Sequence, residues 1–408
     1  MSVIVLWVLM FMLLVLIHEL GHFICAKKSG VKVLEFGIGI PPKVCKLRTD
    51  KSGTEYTLNL IPLWWFVRLK GEDPAEEEDF KAKDSFIKAK MWKKIIILLA
   101  GVSANIVFAR VLFTIVFTLW TRPILISSEN SPQAKSESYL LPTKTFLYAH
   151  GYLDEASKKK MEKLPVIISD IESWSLAMNM KIKTWDTIKT MNGIATNLWN
   201  IDTILKDHQG TALNITVLRA GKIIPLKWAC LSGSCEMGIA YDFDTSILDV
   251  FSQKTIKFPL GQAMLISLHE IKAQTQITFR ALGVLGKSLA SLQWSKISKE
   301  LNKMTWPVGA VKIGNMLYEA GWRQLFLAFA GMISLALALF NVLPIPALDG
   351  GRLLGVLIQW IGKLKPEKYF VIEWYINLIF FILLMTFGVY IIFRDLVRFR
   401  GVHIPFIS

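Results

Sequence analysis

The chain has 408 residues, 53% of them hydrophobic and 19% charged, with a formal net charge of +15. A mean hydropathy of +0.42 argues against an ordinary soluble enzyme and for an integral membrane protein. The Lys and Arg excess is not interleaved with base-stacking aromatics, so it reads as the basic flanks of membrane spans and not as a nucleic-acid surface.

Residues 1–27 form the first predicted span, and they lack the positive start of a cleavable signal peptide. Within this span lies His18-Glu-Leu-Gly-His22. Imidazoles at i and i+4 share one helix face, where both can reach one Zn2+ ion. Glu19 is placed to take a proton from water activated there. Such residues are costly in hydrocarbon and mark a functional site.

Residues 28–94 are a Lys/Arg-rich loop with strand-like runs at Val31–Gly37, Val44–Arg48, Thr54–Leu60 and Trp64–Leu69 around the turn Asp50-Lys-Ser-Gly53. The Trp64-Trp65-Phe66 cluster suits a membrane interface, which makes this a membrane-associated β-loop. The acidic run Glu72–Asp79 reads as a solvated turn. Residues 95–120 are the second span, and 121–165 a polar, irregular linker.

Residues 166–245 predict one α+β domain. It has a strand at Val166–Ile171, a short helix at Ser173–Asn179, and a strand from Lys183 to an Asn192-Gly193 turn. A helix at Trp199–Lys206 follows, then strands Ala212–Arg219 and Ile223–Trp228 joined at Ala220-Gly221. Cys230 and Cys235 either form a local disulfide or stay free. Residues 246–320 hold an amphipathic helix near 258–292, lying on the membrane surface or against the spans.

Residues 321–351 carry the third span, about Leu325–Val342, which runs into Asn341-Val-Leu-Pro344-Ile-Pro346-Ala-Leu-Asp349-Gly-Gly351. The prolines resist regular helix, and broken backbone at membrane depth must be buried or line a cavity. Asp349 either caps the next helix or supplies the oxygen that completes a His2Asp zinc site. Residues 352–368 are a basic linker and 369–408 the fourth span and tail. The basic loop 28–94 puts itself inside, and the N-terminus and 121–320 outside the cytoplasm. The basic tail at 394–400 then also falls outside, against the rule.

With both halves of a metal site in hand, the sequence resembles the site-2 proteases, intramembrane zinc metalloproteases whose bacterial branch includes enzymes that cleave anti-sigma factors. His18-Glu19-Leu-Gly-His22 matches the family's first motif, and Asn341 through Gly351 its Asn-x-x-Pro-x-Pro-x-Leu-Asp-Gly motif. Phe36-Gly-Ile-Gly-Ile-Pro-Pro-Lys43 with Tyr56–Pro62 is similar to its β-loop, with Leu63-Trp64-Trp65 where Leu-Gly-Gly is usual. Ala100-Gly101-Val-Ser-Ala-Asn105 resembles its Gly-Pro-x-x-Asn with Val102 at the proline, and Pro307-Val-Gly309 a segment before span three. The 166–228 segment is similar to a PDZ domain.

The resemblance implies a polytopic α-helical membrane protein of about four spans, with a membrane-associated β-loop and one extracytoplasmic α+β PDZ-like domain. It implies zinc held by His18, His22 and Asp349, with Glu19 as the base. Asn341, Pro344 and Pro346 would then contact substrate. Substrates would be single-span membrane proteins already trimmed by another protease, cut in the bilayer of the inner membrane. Two other readings are clearance of signal-peptide remnants or maturation of peptide precursors, and an inactive PDZ-bearing scaffold. A transporter has little support, because the halves show no repeat.

Overall fold

In hydrocarbon a backbone must satisfy its own hydrogen bonds, so long apolar runs become helices. The structure, a computed structural model, describes residues 3–72, 82–119, 136–171, 177, 180–208, 212–228, 239–242, 256–290 and 323–400. In chain order the elements are α1 (Val3–Ser29), β1 (Val33–Thr49), β2 (Glu55–Leu69), α2 (Met91–Leu119), α3 (Lys144–Ala149), α4 (Glu155–Lys163), β3 (Val166–Ile171), β4 (Thr187–Met191) and β5 (Ile194–Ala195). Then come α5 (Ile201–Asp207), β6 (Leu213–Arg219), β7 (Lys222–Trp228), β8 (Ile239–Asp242), α6 (Leu260–Ala290), α7 (Arg323–Val342), α8 (Asp349–Ile361) and α9 (Pro366–Arg400). Among the described residues four stretches are long and apolar enough to cross a membrane: Val5–Ser29, Met91–Leu119, Leu325–Val342 and Val371–Phe393. They fall within a few residues of the expected spans. Two compact units result, one of Met1–Val116 with Thr278–Ser408 and one of Phe117–Ile277.

In the first unit, small residues let helices approach closely. A side chain at Gly21 would collide with the Ala100 carbonyl, and one at Gly331 with the Phe113 ring. Trp7, Met10 and Leu14 of α1 pack with Leu112 of α2 and Phe326 and Ala330 of α7. A second cluster joins Ala26, Val33, Leu69, Phe86, Ile97 and Val356. Helix α1 stops at Gly30, whose φ of +76° lets Val31 N–H bond back to the Ala26 carbonyl at 3.0 Å.

The four short strands expected between 31 and 69 are instead two long bent ones. Ile38 is partnered by Trp65 on one side and Leu58 on the other, and Lys46 is opposite Thr57. The ribbon therefore lies in the order 43–49, 55–59, 33–40, 61–69. Gly39, at φ +97°, bends β1 without ending it. Segment 61–69 pairs on one side only among the described residues. Glu72 is not a solvated turn residue, because it pairs with Arg352. The rest of that acidic run lies outside the described residues.

The second unit is a six-stranded sheet in the order β7-β6-β4-β3-β8, with β5 beside β4. Its inward side chains include Val166, Ile168, Ile188, Met191, Ile215 and Val217, and Ile201 and Ile204 of α5 cover them. The two expected turns are present: Asn192 and Gly193 at φ +49° and +80°, Ala220 and Gly221 at φ +46° and +78°. Segment 136–165 corrects the expectation of an irregular linker. The Thr143 side chain caps α3 by accepting from Phe146 N–H, and Asp154 caps α4 by accepting from Ser157 N–H. Helices this short carry too little periodicity to read. Lys144 ties α3 to α5 through Asp202 at 2.8 Å. On α6, Glu270 is fully buried and accepts from Ser138 Oγ at 2.6 Å, Tyr139 N at 2.8 Å and Gln274 Nε2 at 2.7 Å. The expected helix at Ser173–Asn179, except Ala177, and Cys230, Cys235 and Pro307 lie outside the described residues.

Asp186 is buried at the start of β4, and Arg219 donates to it through Nε at 2.7 Å and Nη2 at 2.6 Å. Burial alone would raise its carboxyl, but the guanidinium and the Lys183 N–H hold it below the ordinary aspartate range. That stabilisation is complete above about pH 4 and is lost as pH falls through the depressed value. Arg219→Met is expected to cost this unit about 2 kcal/mol at pH 7. The deficit should shrink below about pH 4. Pulse proteolysis of the unit across that range measures it.

Candidate metal centre

One helical turn separates His18 from His22, and both rings are buried where α1 meets α2. Their Nε2 atoms lie 3.2 Å apart. Asp349 Oδ2 approaches the same two atoms, at 3.0 Å from His18 and 3.3 Å from His22. Among the described residues no other donor bonds this buried oxygen. One donor atom from each residue fits within 4.8 Å of the others. The expected residues His18, His22 and Asp349 therefore converge from opposite ends of the chain.

The far side of each ring is held. His22 Nδ1 donates to the Ile97 carbonyl at 2.8 Å, which leaves the Nε2 lone pair facing Asp349. His18 Nδ1 faces the Asn105 amide at 3.4 Å, and Asn105 Oδ1 is buried without a partner among the described residues. A half-turn of that amide lets Oδ1 accept from Nδ1–H and frees the His18 Nε2 lone pair as well. Ser334 Oγ donates to the Asn105 carbonyl at 3.0 Å and binds α7 to this shell. Gly101 forms the floor: a side-chain carbon there would press on His22 Nε2 and come within 2.8 Å of His18 Nε2.

Asp349 reaches the rings because regular helix fails just before it. Helix α7 ends at Val342, and Pro344 and Pro346 cannot continue its hydrogen-bond ladder. The chain turns sharply enough that a side chain at Gly350 or Gly351 would strike the Val342, Leu343 or Ile345 carbonyls. Asp349 is the first residue of α8. Leu348 occupies the cap position and makes no side-chain cap bond, so the helix-capping alternative is not what is seen.

Glu19 lines a cavity of about 170 Å³ together with His22, Phe66, Val67, Asp349 and Arg352. The Asn341 amide lies 3.4 Å from His18 Nε2. Pro344 and Pro346 line neither this cavity nor the larger one beside it; they shape the turn. Two imidazole nitrogens and one carboxylate oxygen, with their other ring atoms tied back, are a donor set suited to zinc, and the Asp349 oxygen has no other partner to satisfy it. Gly101 and Asn105 entered the sequence reading only through a family likeness, and the Ile97 carbonyl had no signal at all, since any residue offers one.

Known proteins similar to this chain carry names that include zinc. The family model described as "Peptidase family M50" matches residues 6–385. Several relatives carry the name "Putative zinc metalloprotease". One from Clostridium acetobutylicum is 27% identical over 395 residues, covering 97% of each chain. One from Campylobacter jejuni is 28% identical over 97% of this chain and 93% of its own. One from Helicobacter pylori strain 26695 is 28% identical over 96% of this chain and 98% of its own.

Gly101→Ala favours helix but places a methyl against both imidazoles. It is expected to lower zinc affinity at least tenfold while the chain still accumulates in membranes. Metal analysis of the purified variant checks this, and wild-type zinc content would count against the floor assigned to Gly101.

Proposed function

The chain belongs to peptidase family M50, the site-2 proteases, and is a zinc metalloprotease; from that premise we propose that it cuts single-span membrane proteins within or beside their membrane segment, using His18, His22 and Asp349 as zinc ligands and Glu19 as the base. The convergence of those three donors inside a body of membrane-length helices carries this reading. When bound, the zinc supplies Lewis acidity, making water acidic enough to attack near neutral pH and polarising the target carbonyl. Glu19 accepts the proton from the attacking water and delivers it to the departing amine. Asn341, beside His18, holds the substrate backbone. Ile97 and Asn105 keep the imidazoles oriented.

A helical substrate has its carbonyls occupied by intrahelical bonds and must be locally unwound. The one-sided segment 61–69 offers an edge on which an extended peptide can add as a strand. Phe66 and Val67 of that segment share the cavity with Glu19 and Asp349, so such a peptide runs past the proposed base. The ribbon of β1 and β2 is then the membrane-associated element. The sheet unit at 166–245 acts as a PDZ-like module outside the cytoplasm that limits entry to substrates already trimmed by another protease. The basic loop 28–94 supports a multi-pass topology in the cytoplasmic membrane with the N-terminus outside. Anti-sigma-factor-like proteins are the substrate class this arrangement suits.

Glu19→Gln is expected to keep zinc and fold while slowing cleavage of a single-span reporter by at least 100-fold, the scale of general-base catalysis. Asp349→Asn is expected to lower both bound zinc and cleavage. Reporter cleavage with parallel metal analysis reads both. Full cleavage by the Gln variant would remove Glu19 from its role.

A further inference from the structure

The turn between α7 and α8 decides where Asp349 stands, yet most of its own bonds are local. Leu343 N–H goes to the Phe340 carbonyl at 3.0 Å, Ile345 N–H to Leu343 at 2.7 Å, and Leu348 N–H to Ile345 at 3.1 Å. Pro344 and Pro346 have no N–H to place. Ala347 is the exception twice over. Its φ is +74°, a left-handed conformation that an alanine adopts only when its surroundings enforce it. Its N–H crosses to another element and donates to Asn377 Oδ1 on α9 at 2.9 Å.

Asn377 lies inside the apolar stretch Val371–Phe393, where a polar side chain without a partner is costly. Its neighbours Ile376 and Leu378 are exposed on a helix that is otherwise thinly packed. The Ala347 N–H and Asn377 Oδ1 therefore satisfy each other, two residues before Asp349. Both residues also line the larger cavity of about 440 Å³ next to the metal centre. Among the described residues no side chain caps α8, and this bond is a side-chain tie on the approach to Asp349.

We propose that Asn377 is a positioning residue for the metal centre: by holding the left-handed Ala347 peptide, it sets the Asp349 carboxylate against His18 and His22. The proposal rests on the reading of those three residues as zinc ligands. In this role Asn377 acts through the Ala347 peptide and not as a metal ligand.

The test is zinc affinity of the purified full-length chain, by competition with a chelating dye, with the visible spectrum of the cobalt-substituted protein as a second readout. Asn377→Leu keeps the size and removes the acceptor. It is expected to weaken zinc binding on the order of tenfold, as the loss of one hydrogen bond would, and to change the cobalt bands. Ala347→Gly relieves the left-handed strain, since glycine adopts that conformation freely. Added to Asn377→Leu, it is expected to restore most of the lost affinity and the wild-type spectrum. If Asn377→Leu does not accumulate, Asn377→Ala takes its place. Wild-type affinity and spectrum in the Asn377 variant would overturn the proposal, as would a loss that Ala347→Gly leaves unrepaired. An Asp349→Asn control separates the levels: if it binds zinc as tightly as wild type, the ligand assignment itself has failed and the proposal falls with it.

Discussion

A carboxylate whose buried oxygen faces two imidazoles, with no other donor on that oxygen among the described residues, is the constraint around which the first unit is arranged. Isolated, such a charge would cost several kcal/mol to hold in an apolar interior. The chain meets that cost by geometry. Gly21 and Gly101 let α1 and α2 approach until the rings sit on backbone. Ile97 and Asn105 anchor the outer nitrogens of those rings. Pro344 and Pro346 break α7 so that Asp349 enters from the side, and the glycines after it allow the tight turn. A divalent cation with a preference for nitrogen and oxygen donors satisfies all of these groups at once.

Hydrolysis requires water, and membrane-length helices exclude it. The cavities around the site reconcile the two. Arg352 and Glu72, which pair with each other, line both cavities, and Glu373 lines the larger one. Polar groups of this kind are what water needs in order to occupy a buried space. The same walls carry the apolar side chains of Phe66, Val67, Trp374 and Phe381. Segment 61–69 of the bent ribbon, which lines both cavities through Phe66 and Val67, pairs on one side only among the described residues. The fold thus brings together a candidate metal-binding donor set and a polar-lined approach to it within one unit.

Much of this was legible in the sequence, for physical reasons. Two histidines at i and i+4 in an apolar run share a face of any helix they form, so His18 and His22 could be paired before any coordinates. The Pro-x-Pro and Gly-Gly flanks around Asp349 announced a broken backbone, and the four spans followed from length and hydropathy alone. The sheet unit followed from alternation and its Asn-Gly and Ala-Gly turns. What escaped was tertiary. Gly39 and Pro41–Pro42 looked like a strand end, yet an extended bent backbone tolerates them. Helices at 144–149 and 155–163 were too short to show a period. Glu72 read as solvated because its partner, Arg352, lies far along the chain. The tie between Ala347 and Asn377 left only a faint trace, one amide in an otherwise apolar helix.

The most direct measurement is X-ray absorption at the zinc edge on the purified, zinc-loaded chain. A first shell with two imidazole nitrogens and a carboxylate oxygen, at about 2.0–2.2 Å, is the result this account predicts, and Asp349→Asn should alter it. A shell containing sulfur, or one that Asp349→Asn leaves unchanged, would contradict it.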